Sequence, residues 1–350
     1  MHPFLAACRR LTTAHTPVWL MRQAGRYLPE YRAIRARVPF LELCRTPEVA
    51  AEVTLLPVER LGVDAAILFA DILLITESLE LGLAYSRGDG PVIRHPVRSA
   101  VEVARLPERD PYETLPFVFE TVRRARAALA GRVPLIGFAG APFTVASYLV
   151  EGGASRHFLE TKRLMYGDPG AWHALLGLLA RTTGRYLAGQ VGAGAEAVQL
   201  FDSWVGALAP EDYRRFVLPH TRAVIQAVPA GVPVIHFGTG TAGLLEAMRD
   251  AGGDVVGLDW RVDLGAAWAR LGPGVGVQGN LDPAALLAPL GAIRQRVATV
   301  LAQADGRSGH IFNLGHGVLP ETPVDHVRVM VDAVHELSAR PARPADVGAG

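Results

Sequence analysis

The sequence predicts an α/β fold, a single (β/α)8 TIM-type barrel with its active site at the C-terminal ends of the strands, on three observations. Eight short, β-rich apolar runs recur along the chain. A segment of helical period follows each of them. No Pro/Gly/Ser-rich linker divides the 350 residues, a length that one α/β barrel can fill. A doubly wound open sheet is the competing arrangement of the same alternation.

The first strand is expected at 18–21 (VWLM), before a helix at 46–62 that opens Thr46-Pro47. A proline in the first helical turn costs nothing, because its missing N–H would have had no partner there. Strand 65–69 (AAILF) leads into a long excursion, 71–111, and a helix at 112–130. Strand 134–138 (PLIGF) precedes helix 170–190, which opens Asp168-Pro169. Strands at 196–201, 233–237, 255–259 and 275–278 precede helices at 210–228, 241–251, 264–271 and 283–304. The last unit is strand 310–314 (HIFNL) with helix 323–338. Residues 1–340 thus form one barrel domain, and the Pro/Ala/Gly-rich stretch 341–350 is expected to be a flexible tail.

Composition excludes several classes. Half the residues are hydrophobic and a fifth charged, so the chain is globular and not disordered. Basic and acidic residues number 35 and 34, so no global field recruits nucleic acid or a membrane surface. The apolar stretch 65–75 is interrupted by Asp71 and falls short of the roughly 18 residues of a membrane span. Cys8 and Cys44 have no metal-ligand spacing and form no disulfide framework. No apolar run follows Arg9-Arg10, so a signal peptide is not expected and the location is cytoplasmic. Lys162 is the sole lysine, hence the one candidate for a Schiff base.

Chemistry in a parallel barrel collects where strands end. Those points carry the run Arg22-Gln23-Ala24-Gly25-Arg26, then Asp71, the stretch 139–142 leading to Tyr148, Asp202-Ser203, Asp259, and 313–317 with His316. Two arginines four apart can aim two guanidinium forks at one carboxylate-bearing ligand. Arg22, directly after an apolar strand, is expected to be buried and to need an acidic partner that the nearby sequence lacks. Asp71, flanked on each side by four apolar residues, reads as a helix N-cap or a functional acid, and a barrel mouth facing arginines favours the acid. Those arginines are expected to hold its pKa down.

Other polar residues read more blandly. Arg32, Arg37, Arg123, Arg124 and Arg126 fit solvated helix faces, and His236 fits the core. Tyr148 and Ser203, taken singly, need do no more than satisfy backbone groups. His316 sits between Gly315 and Gly317, where backbone freedom lets a side chain approach a ligand. Gly238, Gly240 and Gly243 spell G-x-G-x-x-G after a strand, with Asp259 at the next strand end, as a dinucleotide site would. The motif falls in the fifth β unit of a Gly-rich sequence, which argues for chance.

The run from Pro17 to Arg32, PVWLMRQAGRYLPEYR, closely resembles the N-terminal signature of the uroporphyrinogen decarboxylase family. The likeness continues through 64–73, 131–153, 199–206, 255–260, 278–283 and 313–317, and covers about residues 4 to 340. It implies a single barrel, usually a homodimer, that uses no metal or organic cofactor. The implied reaction removes the carboxyls of the four acetate side chains of uroporphyrinogen III, giving coproporphyrinogen III in haem synthesis. The implied substrate-binding residues are Arg22, Gln23, Ala24, Gly25, Arg26, Asp71, Tyr148, Ser203 and His316. Arg35 matches a further position, and Asp71, Arg22 and Arg26 take the catalytic roles. Zinc methyltransferases of similar architecture hold their metal with a His-x-Cys pair. Here the comparable stretch reads His236-Phe237-Gly238, so that thiolate site is missing.

Losing CO2 leaves an electron pair that needs a sink, and the substrate is expected to supply it. A pyrrole protonated on the carbon bearing the acetate would become an electron-poor iminium, with Asp71 as its counter-charge. An NAD-dependent oxidoreductase and a non-catalytic tetrapyrrole carrier are the alternatives.

Overall fold

The structure, a computed structural model, describes residues 1–86 and 90–340. The expected tail, 341–350, lies outside the described residues. Strand β1 (Ala66–Ile67) is followed by an antiparallel hairpin of β2 (Leu83–Ser86) and β3 (Gly90–Ile93). Then come β4 (Leu135–Gly140), β5 (Ala197–Asp202), β6 (Val234–Gly238), β7 (Val255–Gly257), β8 (Gly276–Gln278) and β9 (His310–Ile311). Apart from the hairpin, these strands form one seven-stranded sheet in chain order, parallel throughout. Parallel neighbours need a crossover, and helices supply it.

The sheet is strongly curled. Trp19 Nε1 donates to Gln278 Oε1, and Gln278 Nε2 donates to Gln199 Oε1, both at 2.9 Å. Gln199 is on β5 and Gln278 on β8, three strands away, a span of about 14 Å in a flat sheet. Direct contact therefore requires the sheet to wrap around these side chains.

The expected first strand, 18–21, is the main departure. Only Val18 pairs as a strand residue would, with Phe312. Trp19 N–H still donates to Phe312 O, but the other three N–H groups of 18–21 go to side chains. Val18 N–H donates to Asp64 Oδ2, Leu20 N–H to Gln23 Oε1, and Met21 N–H to Asn313 Oδ1. Main-chain bonds still tie this segment at both edges of the sheet, from Asp64 N to Val18 O and from Phe312 N to Pro17 O. All four N–H groups of 18–21 are thus satisfied without a regular strand.

Prolines divide three expected helices. The 112–130 segment becomes Pro111–Thr114 and Pro116–Leu129, and 210–228 becomes Pro210–Phe216 and Leu218–Ala227. Segment 283–304 becomes a 3-10 turn, Pro283–Leu287, and a helix, Leu290–Ala304, starting beyond Pro289. Pro116, Pro219 and Pro289 each withhold the N–H that a continuous helix requires. The excursion 71–111 contains a 3-10 turn (Leu74–Leu79), the hairpin and a short helix (Ala100–Ala104). A bridge from Val92 to Gly153 fastens the hairpin beside the end of helix Pro142–Glu151. Among the described residues no helix is long and apolar enough to cross a membrane.

Candidate active site

Because the sheet is parallel, segments that follow its strands emerge at one end. Asp71 follows β1, Tyr148 lies on the helix after β4, Ser203 directly follows β5, and His316 follows β9. The arginine loop follows the 17–19 segment, which runs parallel to β9. The segments that carry Asp71, Tyr148, Ser203, His316 and the arginine loop therefore open toward one end of the sheet.

The arginine loop is built by its own side chains. Gln23 is fully buried, accepting from Leu20 N–H and donating to Ala65 O at 3.1 Å. Its amide is committed to backbone and braces the loop that carries the two arginines. Arg22 has φ of 59°, in the left-handed region that side chains avoid. A β-carbon at Gly25 would come within 2.7 Å of Arg22 O, so the turn needs its glycine. Ala24 and Gly25 line this turn and are half-buried.

Arg22 is exposed, contrary to the expected burial, because the left-handed turn swings its side chain out of the core toward the mouth. Arg26 is exposed too, and neither arginine forms a salt bridge among the described residues. By contrast Arg123 and Arg124 pair with Glu120 at 3.0 and 2.8 Å on the outer surface. Arg32 is no idle surface charge: Nη1 donates to the carbonyls of Arg26 and Tyr27, both at 3.0 Å, and braces the loop. Arg35 donates to Val38 O and lies over the Phe40 ring, which in turn packs on Tyr85 at 4.8 Å. It thus stands behind the wall of the mouth.

Asp71 combines both of its expected readings. Oδ1 accepts from Leu73 N–H at 2.8 Å, ordering the turn that follows, and the Tyr85 hydroxyl stands near enough to the carboxylate to favour its ionised form. Burial raises the Asp71 pKa and outweighs the lowering by Leu73, Tyr85 and Arg22. The expected direction is therefore reversed, because desolvation exceeds the attraction of a guanidinium that faces water. Tyr85 carries no sequence motif and sits on β2, in the hairpin. Burial and the neighbouring Asp71 push its phenol above the usual range.

Tyr148 stacks on Trp204, with ring centroids 3.8 Å apart. Burial and Asp71 push its phenol up to about 12, against the opposing charge of Arg22. Thr144, buried on the same helix, donates to Asp202 Oδ1 and accepts from Trp204 N–H. It therefore places Trp204 and, beside it, Ser203, whose carbonyl accepts from Thr239. Phe138 and Phe201 (5.5 Å) and Phe201 and Phe237 (5.9 Å) form an aromatic floor.

Gly317 N–H donates to His316 Nδ1 at 2.7 Å, which leaves the proton of a neutral ring on Nε2. Burial, then Arg22 and Arg261, push the His316 pKa down to about 4, against Asp259. His316 therefore offers a neutral N–H donor at neutral pH.

A family model described as uroporphyrinogen decarboxylase (URO-D) matches residues 1–337. The chain belongs to the uroporphyrinogen decarboxylase family. It is 57% identical over 337 residues to a uroporphyrinogen decarboxylase of Carboxydothermus hydrogenoformans, covering 96% of each chain. It is 55% identical to one of Roseiflexus sp., over 96% of this chain and 98% of the relative. Family membership makes it a carboxy-lyase of porphyrin biosynthesis. Among solved structures, a methyltransferase from Methanosarcina mazei superposes with a TM-score of 0.78 at 19% identity, over 95% of this chain and 97% of that one. That likeness is one of fold.

In this member of the uroporphyrinogen decarboxylase family the G-x-G-x-x-G match has another use. Gly240 N–H, where a pyrophosphate would sit, donates to the protein's own Asp259, which also pairs with Arg261 at 2.8 Å. The helix begins only at Leu245. His236 is fully buried, as expected of a core residue. Lys162 Nζ donates to Ala207 O at 2.8 Å.

Proposed function

We propose that this protein decarboxylates the four acetate side chains of uroporphyrinogen III to methyls, giving coproporphyrinogen III, at the mouth formed by Arg22, Arg26, Asp71, Tyr148, Ser203 and His316. In this reading segment 17–21 closes the seven strands into a (β/α)8 barrel. The reaction uses no metal or organic cofactor, and the protein works in the cytoplasm as a homodimer. The observation that carries it is the charge arrangement: two guanidiniums without salt bridges among the described residues and one half-buried carboxylate at a single mouth.

The substrate is a polyanion with a ring of pyrrole N–H groups. Arg22 and Arg26 suit its carboxylates, each fork able to hold one bidentately. Asp71 suits the N–H groups, and its charge opposes a cation formed on a pyrrole. Conjugation corrects the expected protonation site. A proton on the acetate-bearing carbon would separate the breaking bond from the iminium by a saturated centre. A proton on the adjacent α-carbon instead leaves the ring a vinylogous iminium conjugated with the side chain. The electrons of the C–C bond then flow into the ring as CO2 leaves. The resulting exocyclic methylene takes up a proton to become methyl, and the α-carbon releases the first one. One proton is consumed per CO2 released.

Preorganised charge aimed at a developing cation is commonly the largest catalytic contribution. The neutral His316 N–H and the Tyr148 hydroxyl add oriented hydrogen-bonding groups, and the Phe138–Phe201 floor supplies an apolar surface for the macrocycle.

The test is anaerobic incubation of the purified chain with uroporphyrinogen III, followed by oxidation and separation by carboxyl number. Seven- to four-carboxyl porphyrins should appear stepwise. Folded protein that binds substrate but returns it with all its carboxyls would indicate a carrier and overturn the proposal. Sedimentation gives the oligomeric state.

A further inference from the structure

A second cluster of chemistry-bearing side chains lies at the opposite end of the sheet. Asp64 precedes β1, whereas Asp71 follows it. His15 precedes the 17–19 segment, and His335 is on the last helix, Val324–Ser338. His15 Nε2 is 3.1 Å from Asp64 Oδ1, and His335 Nε2 is 2.8 Å from Asp64 Oδ2. One ligand atom from each residue falls within a 4.8 Å group. The two rings cross at 66° with centroids 4.6 Å apart, so they approach the carboxylate from different directions. Side-chain exposures of 27%, 14% and 31% leave the group open to solvent on one side.

We infer that His15, Asp64 and His335 form a binding site for a divalent zinc ion, at the end of the protein remote from the decarboxylase mouth. Two imidazole nitrogens and one carboxylate oxygen are a donor set that suits zinc. Ligand bonds of about 2.0–2.1 Å in a tetrahedron place donor atoms about 3.3 Å from one another. His15 Nε2 stands 3.1 Å from Oδ1, near that spacing, and the three ligand atoms lie within 4.8 Å of one another, so the ion enters by side-chain movements that turn His335 from Oδ2 toward it, with a water as fourth ligand.

Further bonds hold the site in place. Thr16 N–H donates to Ser338 Oγ at 2.8 Å, and Arg340 N–H donates to Ala14 O at 2.7 Å, which registers His15 against the last helix. Val18 N–H donates to Asp64 Oδ2 at 2.7 Å and orients the carboxylate, as outer partners of metal ligands do. Oδ1 has no such backbone bond and is the natural ligand oxygen. Zinc here joins residues 15, 64 and 335, three regions far apart in the chain. Its effect is on stability, because a ligand that binds only the folded state shifts unfolding upward.

The test uses the full chain, free of any histidine tag and stripped with a chelator that is then removed. Zinc chloride is titrated at pH 8 in a non-coordinating buffer and followed by calorimetry. One ion per chain should bind with micromolar affinity and raise the Tm. His15→Gln and His335→Gln keep a polar group beside Asp64 but remove an imidazole, and each should weaken binding at least tenfold. X-ray absorption of the zinc-loaded wild type should show two imidazoles, a readout that does not depend on the variants folding. No saturable heat, or binding that both variants retain in full, overturns the inference. So does a zinc spectrum without imidazole. Decarboxylation is measured separately, so loss of that activity would not be confused with loss of zinc.

Discussion

Arg22 lies against Gly317 so closely that a β-carbon on the glycine would come within 2.4 Å of Arg22 Cδ. The arginine loop and the histidine loop are thereby packed into each other, and Gly317 neighbours His316. Gly317→Ala should leave the fold intact, because a flexible arginine stem can move away. The displaced guanidinium should lower kcat/KM for uroporphyrinogen by about 10-fold or more, as misplacement of a positioning group does. Steady-state kinetics beside thermal unfolding checks this. An unchanged rate with unchanged Tm would mean that the position of Arg22 is unimportant.

The guanidiniums themselves should matter unequally with location. Arg22→Ala and Arg26→Ala should each cost about 1.5–3 kcal/mol of transition-state binding, the range of a hydrogen bond to a charged group. That corresponds to roughly 10- to 150-fold in kcat/KM. Arg123→Ala loses only an exposed pair with Glu120 and should be silent in activity. Equal losses at Arg22 and Arg123 would show that the mouth lies elsewhere.

His316 should act without changing charge. Its pKa of about 4 means that protonation begins only well below neutrality. The imidazole resonance, assigned by comparison with His316→Gln, should therefore stay flat from pH 8 to about 6. Titration near the ordinary value of 6.5 would contradict the neutral-donor role.

Much of this was legible in the sequence, for physical reasons. Strands β4 to β8 are mostly apolar runs bounded by turn residues, and burial on both faces, against helices outside and side chains inside, leaves that signature wherever they occur. The first stave was harder. Three of its N–H groups are met by Asp64, Gln23 and Asn313 side chains, and no periodicity reports a side chain that replaces a ladder bond. Gln23 lies inside the strongest motif and yet faces the backbone, since a motif marks a loop as a unit and does not separate its braces from its contacts. Arg22 departs from the burial that an apolar strand suggests, because one left-handed residue reverses the side chain. Tyr85 reaches Asp71 only through the folding of the hairpin, 14 residues along the chain, and carries no local pattern.

The Asp71–Tyr85 pair gives the prediction with the most distinctive signature. Burial raises the Asp71 pKa in the folded protein, so the native state binds that proton more tightly than the unfolded chain does. Stability from this group is consequently greatest below the unfolded value and falls as pH rises through the folded one. Asp71→Asn removes that penalty and can keep the bond to Leu73 N–H, so the variant should melt higher than wild type at neutral pH. The same substitution removes the counter-charge and should cut kcat by about 10²–10³ while altering substrate binding much less. Tyr85→Phe separates the two effects. The nearby phenol favours the ionised carboxylate, so its loss should move the acid limb of kcat to higher pH and leave the alkaline plateau in place. A structural role alone would lower Tm without moving the pH profile. Should Asp71→Asn turn over at the wild-type rate, the charge is dispensable and the residue does no more than order the turn at Leu73.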